Sequence, residues 1–206
     1  MKKSELLSKI KNITGVALAL IFAVMAGFFM SDVVEAAGTD EIAKATQCSF
    51  VVPSTFLPGE EPGLFISESY PMESSSIKYS IYENSKDKVL TNREKQAIFD
   101  EGATVVEDRS TSLTKEIYQQ TMEEAYRNEF GKDVGFTVTD FDKKIFDGYP
   151  GYKVMSEYQS DEELKVCQTV YIIISRYKTF TITYQRAEDD ECQELFDKSA
   201  ATIHVR

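Results

Sequence analysis

The chain has 206 residues, with 34 acidic and 23 basic side chains and a formal net charge of −11. Nucleic acids and anionic membrane surfaces are bound through clustered lysine and arginine, so this charge balance argues against both classes of partner. The acidity fits binding of cations or basic partners, but solubility alone is the simpler interpretation.

Residues 1–36 have the layout of a secretory signal. The segment begins with a basic part, contributed by Lys2, Lys3, Lys9 and Lys11. Residues 12–31 carry no charge, and Val34 and Ala36 suit the small-residue requirement of a signal peptidase. Cleavage predicts a mature protein that starts at Ala37. The alternative is a retained single-pass anchor, because an uncharged stretch of about 20 residues can just span a bilayer. Both interpretations predict a location outside the cytoplasm, either secreted or at the cell surface.

The remaining chain has the size of one domain, with residues 37–47 as a polar lead-in and residues 48–206 as a single α+β unit. Cys48 to Val52 predicts a short strand that ends at Pro53, because proline cannot donate to a central ladder. Leu64 to Ile66 predicts a second short strand.

The middle of the chain predicts a strand followed by a helix. Apolar and polar residues alternate over 77–81, which is the period-2 signal of a half-buried strand. Residues 86–102 are ambiguous and fit a short helix within a long connection. Ser112 can cap the main helix and Gly131 can end it in a left-handed conformation. The apolar residues between these caps recur at roughly helical spacing: Leu113, Ile117, Met122, Ala125 and Tyr126.

Four further strands are predicted after this helix. Residues 134–139 alternate, and Asp147-Gly148-Tyr149-Pro150-Gly151 has the composition of a turn before a strand over 152–158. Val166 to Ile174 and Phe180 to Tyr184 predict two more strands, joined by a short turn. Adjacent strands joined by short turns indicate an antiparallel meander.

The strand from Val166 to Ile174 is apolar on both faces, so we expect it to lie inside the sheet with a helix covering each side. A second amphipathic helix near the end of the chain can supply one of these covers. Its predicted inner face consists of Cys192, Leu195, Phe196 and Ser199. A short strand that ends at Ile203 is predicted to close the domain.

The residue pattern predicts no catalytic residue. The three cysteines, Cys48, Cys167 and Cys192, cannot all pair within a monomer, and none lies in a C-x-x-C motif. The predicted hairpin places Cys167 near residue 187, which leaves a bridge to Cys192 open; buried free thiols are the commoner alternative. His204 is the only histidine. It would need a thiol beside it in space to form a nucleophilic pair, and a surface or edge position is the simpler interpretation.

Two other features have a ligand-binding interpretation. The four carboxylates of Glu188 to Glu191 could hold Ca²⁺, but they lack EF-hand spacing and lie where a helix begins, a position that favours negative charge. Tyr118 and Tyr126 could form a ligand platform, although packing in the core is the simpler explanation. We therefore predict no cofactor and no metal site.

A series of structural motifs runs through most of the chain. In order they are Phe50-Val51-Val52-Pro53, Ser74 to Tyr79, Asp147 to Gly151, Gln168 to Ile172, Phe180 to Tyr184, and Phe196 to Ile203. Together they resemble the PsbP-like superfamily, in particular the extracytoplasmic PsbP-like proteins of clostridial bacteria. The resemblance implies an α/β/α sandwich, with a central antiparallel sheet flanked by helices, and a non-enzymatic role. Members of the superfamily include an accessory subunit of the photosynthetic oxygen-evolving complex and a Ran-binding import factor, but no residue of this chain carries over either site.

The sequence thus predicts a non-catalytic extracytoplasmic accessory or binding module of the cell envelope. We expect a monomer that binds an unidentified envelope or extracellular protein or a small ligand, and that contacts the membrane only through an uncleaved N-terminal anchor. The alternative is a thiol- or histidine-dependent hydrolase with a dispersed site. The lack of a recognisable nucleophile, base and orienting group favours the binding module.

Overall fold

The computed structural model describes residues 47–83, 96–97, 99–102, 113–159, 164–175 and 178–206. The predictions for residues 1–36 and for Ser112 lie outside these ranges, as does most of residues 86–102. The described elements are β1 (Cys48–Ser49), β2 (Phe56–Pro58), β3 (Leu64–Ser67), β4 (Ser76–Glu83), α1 (Lys115–Phe130), β5 (Thr137–Phe146), β6 (Tyr149–Gln159), β7 (Lys165–Ile174), β8 (Lys178–Ala187), α2 (Gln193–Ala200) and β9 (His204–Val205).

Seven strands form one sheet in the order β2-β3-β4-β8-β7-β6-β5. Every neighbouring pair in this sheet is antiparallel, so the predicted meander is confirmed. The two remaining strands pair only with each other: Cys48 lies opposite Val205 and Ser49 lies opposite His204. The two ends of the described domain are thus joined by their own small ladder.

The sheet has a hydrophobic cluster on each face. Along β7, Val170, Ile172 and Ile174 belong to one cluster, which also contains buried residues of α1. Tyr171 and Ile173 contact the other cluster, which contains Phe196 of α2. We call these the α1-side core and the α2-side core. The prediction that β7 lies inside the sheet and is apolar on both faces is confirmed.

Helix α1 begins two residues later than predicted. Thr114 is its N-cap, with extended backbone dihedrals and a side chain that accepts a hydrogen bond from the amide of Ile117. Leu113 therefore precedes the helix, and it is buried in the α1-side core together with Tyr118. These are the positions of a hydrophobic staple, which fixes the angle at which the chain enters a helix. Gly131 ends the helix at φ 68°, as predicted.

Helix α2 differs from its prediction in two ways. Cys192 is the residue before the helix and makes no capping bond through its side chain. Phe196 and Ser199 are buried as predicted, but Leu195 is 36% exposed. The buried stripe of a helix this short is narrow, and Leu195 lies at its border.

Several strand boundaries also differ from the predictions. The first strand stops at Ser49, and the last strand is His204–Val205 because α2 continues to Ala200. Strand β5 starts at Thr137, since Gly135 has a φ of 62° that interrupts the extended backbone. β2 was not predicted. Its Pro58 suggested a loop, but an edge strand tolerates proline.

Candidate functional site

The three thiols are separate and free. Burial, followed by the negative charge of Asp147, raises the pKa of Cys48 to about 12. Burial also raises the pKa of Cys167 and that of Cys192. The thiolate is the nucleophilic form of cysteine, so at neutral pH each thiol is a weaker nucleophile than an ordinary cysteine. The bridge between Cys167 and Cys192 does not form, and Cys167 lies opposite Arg186, one residue from the predicted partner.

His204 is an exposed residue on the terminal ladder, where its side chain is 67% exposed. Its Nδ1 lies 3.2 Å from Oδ2 of Asp147, and the same oxygen accepts a hydrogen bond of 2.9 Å from the amide of Val205. This amide, and then His204, lower the pKa of the Asp147 carboxyl. Because Cys48 pairs with Val205, strand alternation places its thiol and the imidazole on opposite faces of the ladder. The two contacts of Asp147 anchor the β5–β6 turn to the terminal ladder. They do not place His204 beside the thiol of Cys48.

Within the acidic run at 188–191, Asp190 is a buried hydrogen-bond acceptor with a structural role. Its Oδ2 accepts hydrogen bonds from the Ser75 hydroxyl at 2.8 Å, and from the amides of Ser74 and Ala187 at 3.1 Å each. The carboxylate thus ties the loop before β4 to the end of β8. The neighbouring carboxylates are exposed, and the helix begins only at Gln193. In the described ranges no group of three or more His, Cys, Asp or Glu is placed to hold a metal ion.

Tyr118 and Tyr126 are fully buried in the α1-side core, so the packing interpretation is confirmed. The hydroxyl of Tyr126 donates to Oε1 of Gln168 at 3.0 Å, and Nε2 of Gln168 donates to Oε1 of Gln185 at 2.6 Å. Tyr158 adds a longer bond of 3.4 Å to the same oxygen of Gln185. The sequence patterns did not predict this internal network, although two glutamines at inward positions of apolar strands, Gln168 and Gln185, were a visible signal.

An apolar cleft opens between the segment after β1 and helix α2. Its volume is about 320 Å³. The lining residues are Val51, Pro53, Ser54, Thr55, Leu195, Lys198, Ser199 and Thr202. Val51 is 61% exposed and Leu195 is 36% exposed, so two aliphatic side chains face solvent within one concave surface. Leu195, predicted for the core, thus lies on the wall of this cleft instead.

Side chains of α2 and of the segment after it hold the two walls of the cleft together. The amide of Val51 donates to Oγ1 of Thr202 at 2.8 Å, and the carbonyl of Val51 accepts from the hydroxyl of Ser199. The hydroxyl of Tyr184 lies 3.0 Å from the same Ser199 hydroxyl and links the cleft to the α2-side core. Both polar groups of the Val51 backbone are therefore hydrogen-bonded, which fixes this wall of the cleft against α2 and the segment after it.

A second hollow of about 140 Å³ lies where α2 meets β6 and β7. Cys167, Glu157 and Arg186 are among its lining residues. The guanidinium of Arg186 already makes hydrogen bonds, since its Nε donates to Gln193 and its Nη1 donates to the carbonyls of Ala187 and Glu188. The hollow thus brings a thiol near a cation, but the pKa of that thiol is still raised, chiefly by burial.

Comparison with solved structures shows which known fold this chain resembles. The solution structure of cyanobacterial PsbP from Synechocystis sp. PCC 6803 is similar at 17% identity and a TM-score of 0.50, covering 88% of this chain and 99% of that chain. LpqN of Mycobacterium tuberculosis, involved in cell envelope biogenesis, is 13% identical with a TM-score of 0.41, covering 79% and 85% of the two chains. No protein-family model and no curated protein matches the chain.

Neither described helix has the length and apolar character that crossing a bilayer requires. The similarity to cyanobacterial PsbP covers 88% of this chain, and at this identity it indicates architecture without indicating activity. The resemblance that the sequence motifs suggested and the structural similarity agree: the chain has the PsbP-like fold.

Proposed function

We propose that the protein is a non-catalytic extracytoplasmic module of the cell envelope, and that it binds a partner protein through the cleft between Val51 and Leu195. The two core clusters support an arrangement of its layers as an α/β/α sandwich, with α1 outside one face of the sheet and α2 outside the other. The secretory layout of residues 1–36 supports the location.

The observation that carries the proposal is the preformed apolar cleft. Exposed aliphatic side chains on a rigid concave surface favour insertion of an apolar side chain from a partner, because no loop has to be ordered when the partner binds. Val51 and Leu195 provide that apolar surface, and the fixed backbone of Val51 provides the rigidity. The raised pKa of each thiol, and the position of His204 on the face of the terminal ladder opposite to Cys48, support a binding role rather than a catalytic one.

Substitution within the cleft tests the proposal. The full chain and its Leu195→Glu variant would be used to recover binding proteins from envelope extracts. Leu57→Glu is the matched control, because Leu57 is also an exposed leucine, at 54%, and does not line the cleft. We expect Leu195→Glu to lose a partner that the wild-type chain and Leu57→Glu both retain.

The proposal is wrong if both variants retain every partner or lose the same partner, provided that circular dichroism shows both to be folded. Protease treatment of intact cells tests the location. We expect the domain to be cleaved by the added protease or to be found in the medium. A chain that is retained by the cells and protected from the protease contradicts this part of the proposal.

A further inference from the structure

Strand β5 is an outer strand of the seven-stranded sheet and is ten residues long. Its beginning is blocked. The amide of Val138 donates to Oε1 of Gln119 on α1 at 3.2 Å, and the ladder is irregular between Val138 and Asp140. Among the residues that the structure describes, none covers the segment 140–146, which is therefore the part of the edge open to another strand.

The hairpin turn identifies which backbone groups point outward from this edge. Asp147 and Gly148 have φ angles of 48° and 90°, as in the two-residue turns that favour positive φ. The residues that flank such a turn, Phe146 and Tyr149, bond each other. By the alternation of an antiparallel ladder, the N–H and C=O groups of Phe141, Lys143 and Ile145 are then directed away from β6. No described residue bonds to them.

The side chains of this open edge are complementary to those of the same strand in a second copy of the chain. When two copies of the strand run antiparallel about an axis at Lys143, Asp142 of each copy lies opposite Lys144 of the other. On the opposite face, Phe141 of each copy lies opposite Ile145 of the other. Ile145 is 72% exposed in the single chain, so the contact would cover an apolar side chain.

Neighbouring registers are worse. An axis at Asp142 places the two Asp142 carboxylates opposite each other and sets Phe141 opposite Lys143, although Asp140 then faces Lys144. An axis at Lys144 places two ammonium groups opposite each other and sets Ile145 opposite Lys143. Both registers therefore lose the contact between Phe141 and Ile145. Like charges directly opposite each other destabilise a strand pair. The register centred on Lys143 has one such pair, between the two Lys143 side chains, which are exposed and have flexible stems.

We propose that two copies of this chain associate along β5, in antiparallel register about Lys143, so that their seven-stranded sheets become continuous. The monomer expected from the sequence would then be the dissociated form. Charged residues on an edge strand usually prevent edge-to-edge association. Here the acidic first half of the segment faces the basic second half of the other copy, and the register about Lys143 is the one that also pairs Phe141 with Ile145. The proposal does not depend on the cleft.

A charge-exchange experiment tests the register. The full chain, Lys144→Glu, Asp142→Lys and an equimolar mixture of the two variants would be compared by sedimentation velocity over a wide concentration range. We expect the wild type to dimerise, each variant alone to lose the dimer, and the mixture to regain it, because each new charge then faces an opposite charge. Lys132→Glu, which makes the same charge change on an exposed residue outside β5, should dimerise like the wild type.

Recovery in the mixture excludes misfolding as the cause of the loss, since unfolded variants would not restore each other. The proposal is overturned if the wild type stays monomeric at every concentration, if either variant dimerises as well as the wild type, if the mixture remains monomeric, or if Lys132→Glu also loses the dimer. Association through residues outside β5 would appear as dimers that neither variant disturbs.

Discussion

Asp190 is the clearest example of an ionisable residue whose role is structural. It is buried, and it satisfies donors from two segments that are more than a hundred positions apart in the chain. A sequence interpretation of Glu188 to Glu191 as a set of equivalent carboxylates cannot separate this residue from its neighbours. The distinction depends on burial, which only the fold decides.

We predict that Asp190→Ala destabilises the domain on the order of 3 kcal/mol, because several buried donors lose their acceptor and each unsatisfied donor costs about 1–3 kcal/mol. Asp189→Ala is the control, since Asp189 is adjacent and exposed. Its free energy of unfolding should stay within about 0.5 kcal/mol of the wild type. Urea denaturation measures both, and equal effects would show that Oδ2 of Asp190 is not the shared acceptor described above.

The thiols and the histidine give a second prediction at this scale. A variant with His204→Gln, Cys48→Ser, Cys167→Ala and Cys192→Ala should retain the partner that the wild-type chain recovers, because none of these groups lines the proposed cleft. Folding is checked first by circular dichroism, since two of these residues contribute to the α2-side core. A folded variant that loses its partner or a measured activity would favour the thiol- or histidine-dependent hydrolase.

At the scale of the element, α2 shows how one helix serves the core and the cleft together. Phe196 packs against Phe56 and Tyr184, with ring centroids 5.5 and 5.1 Å apart. Leu195, the preceding residue, lines the cleft instead. Adjacent positions on a helix point about 100° apart, which is enough to separate a buried side chain from an accessible one.

Phe196→Ala should therefore cost roughly 3–5 kcal/mol in the free energy of unfolding, the usual range for a buried phenylalanine. Leu195→Ala should cost far less, because Leu195 already contacts solvent. A guanidinium titration compares the two midpoints. An unchanged midpoint for Phe196→Ala would contradict the packing of α2 described here.

Two glycines give a matched test of backbone geometry. Gly63 and Gly131 have φ angles of 74° and 68°, so an alanine at either position adopts an unfavourable conformation. A Cβ at Gly63 would also collide with the carbonyl of Tyr79, whereas the space at Gly131 is open. This contact lies at the end of the β3–β4 ladder, where the amide of Tyr79 donates to the carbonyl of Gly63 at 2.7 Å.

Gly63→Ala should consequently lower the thermal midpoint more than Gly131→Ala does. Differential scanning calorimetry of both variants measures the difference. Equal shifts would mean that the close approach of Gly63 to Tyr79 is absent in solution and that only the positive φ matters.

Local patterns in the sequence predict the interior elements well, and their boundaries less well. β7 is predictable because it is apolar on both faces, and β8 because its apolar residues alternate with threonine; both strands are buried along most of their length. β2 is an edge strand of three residues, so its pairing depends on β3 rather than on its own sequence. The cleft is not predictable in this way, because its walls come from opposite ends of the domain and neither has a motif.

At the scale of the whole molecule, alkaline pH should destabilise the domain. Burial raises the pKa of Cys48, Tyr79 and Tyr152 to about 12 in the folded protein, from ordinary values of 9.0 for the thiol and 10.0 for the phenols. These groups stay protonated in the folded state where the unfolded chain has already released its protons. Stability is thus fully present below pH 9 and falls as the pH rises towards 12.

Denaturant midpoints measured from pH 8 to about 11.5 test this dependence. Cys48→Ser should weaken the decline by removing one of the groups that must ionise. A stability that is constant across this range would show that the three groups are more accessible than the structure indicates.

Because the two ends of the domain pair with each other, the contacts between them form late in synthesis and folding. Val51 bonds Thr202 and Ser199 across 151 and 148 positions of sequence. Contacts over such separations carry the greatest loop-closure entropy, so they form after local contacts have shortened the path between them. A chain that is still emerging from the ribosome or from an export channel has only one wall of the cleft. The proposed binding surface is consequently completed only after synthesis has passed α2 and Thr202, so a chain shorter than this could not yet occupy its partner.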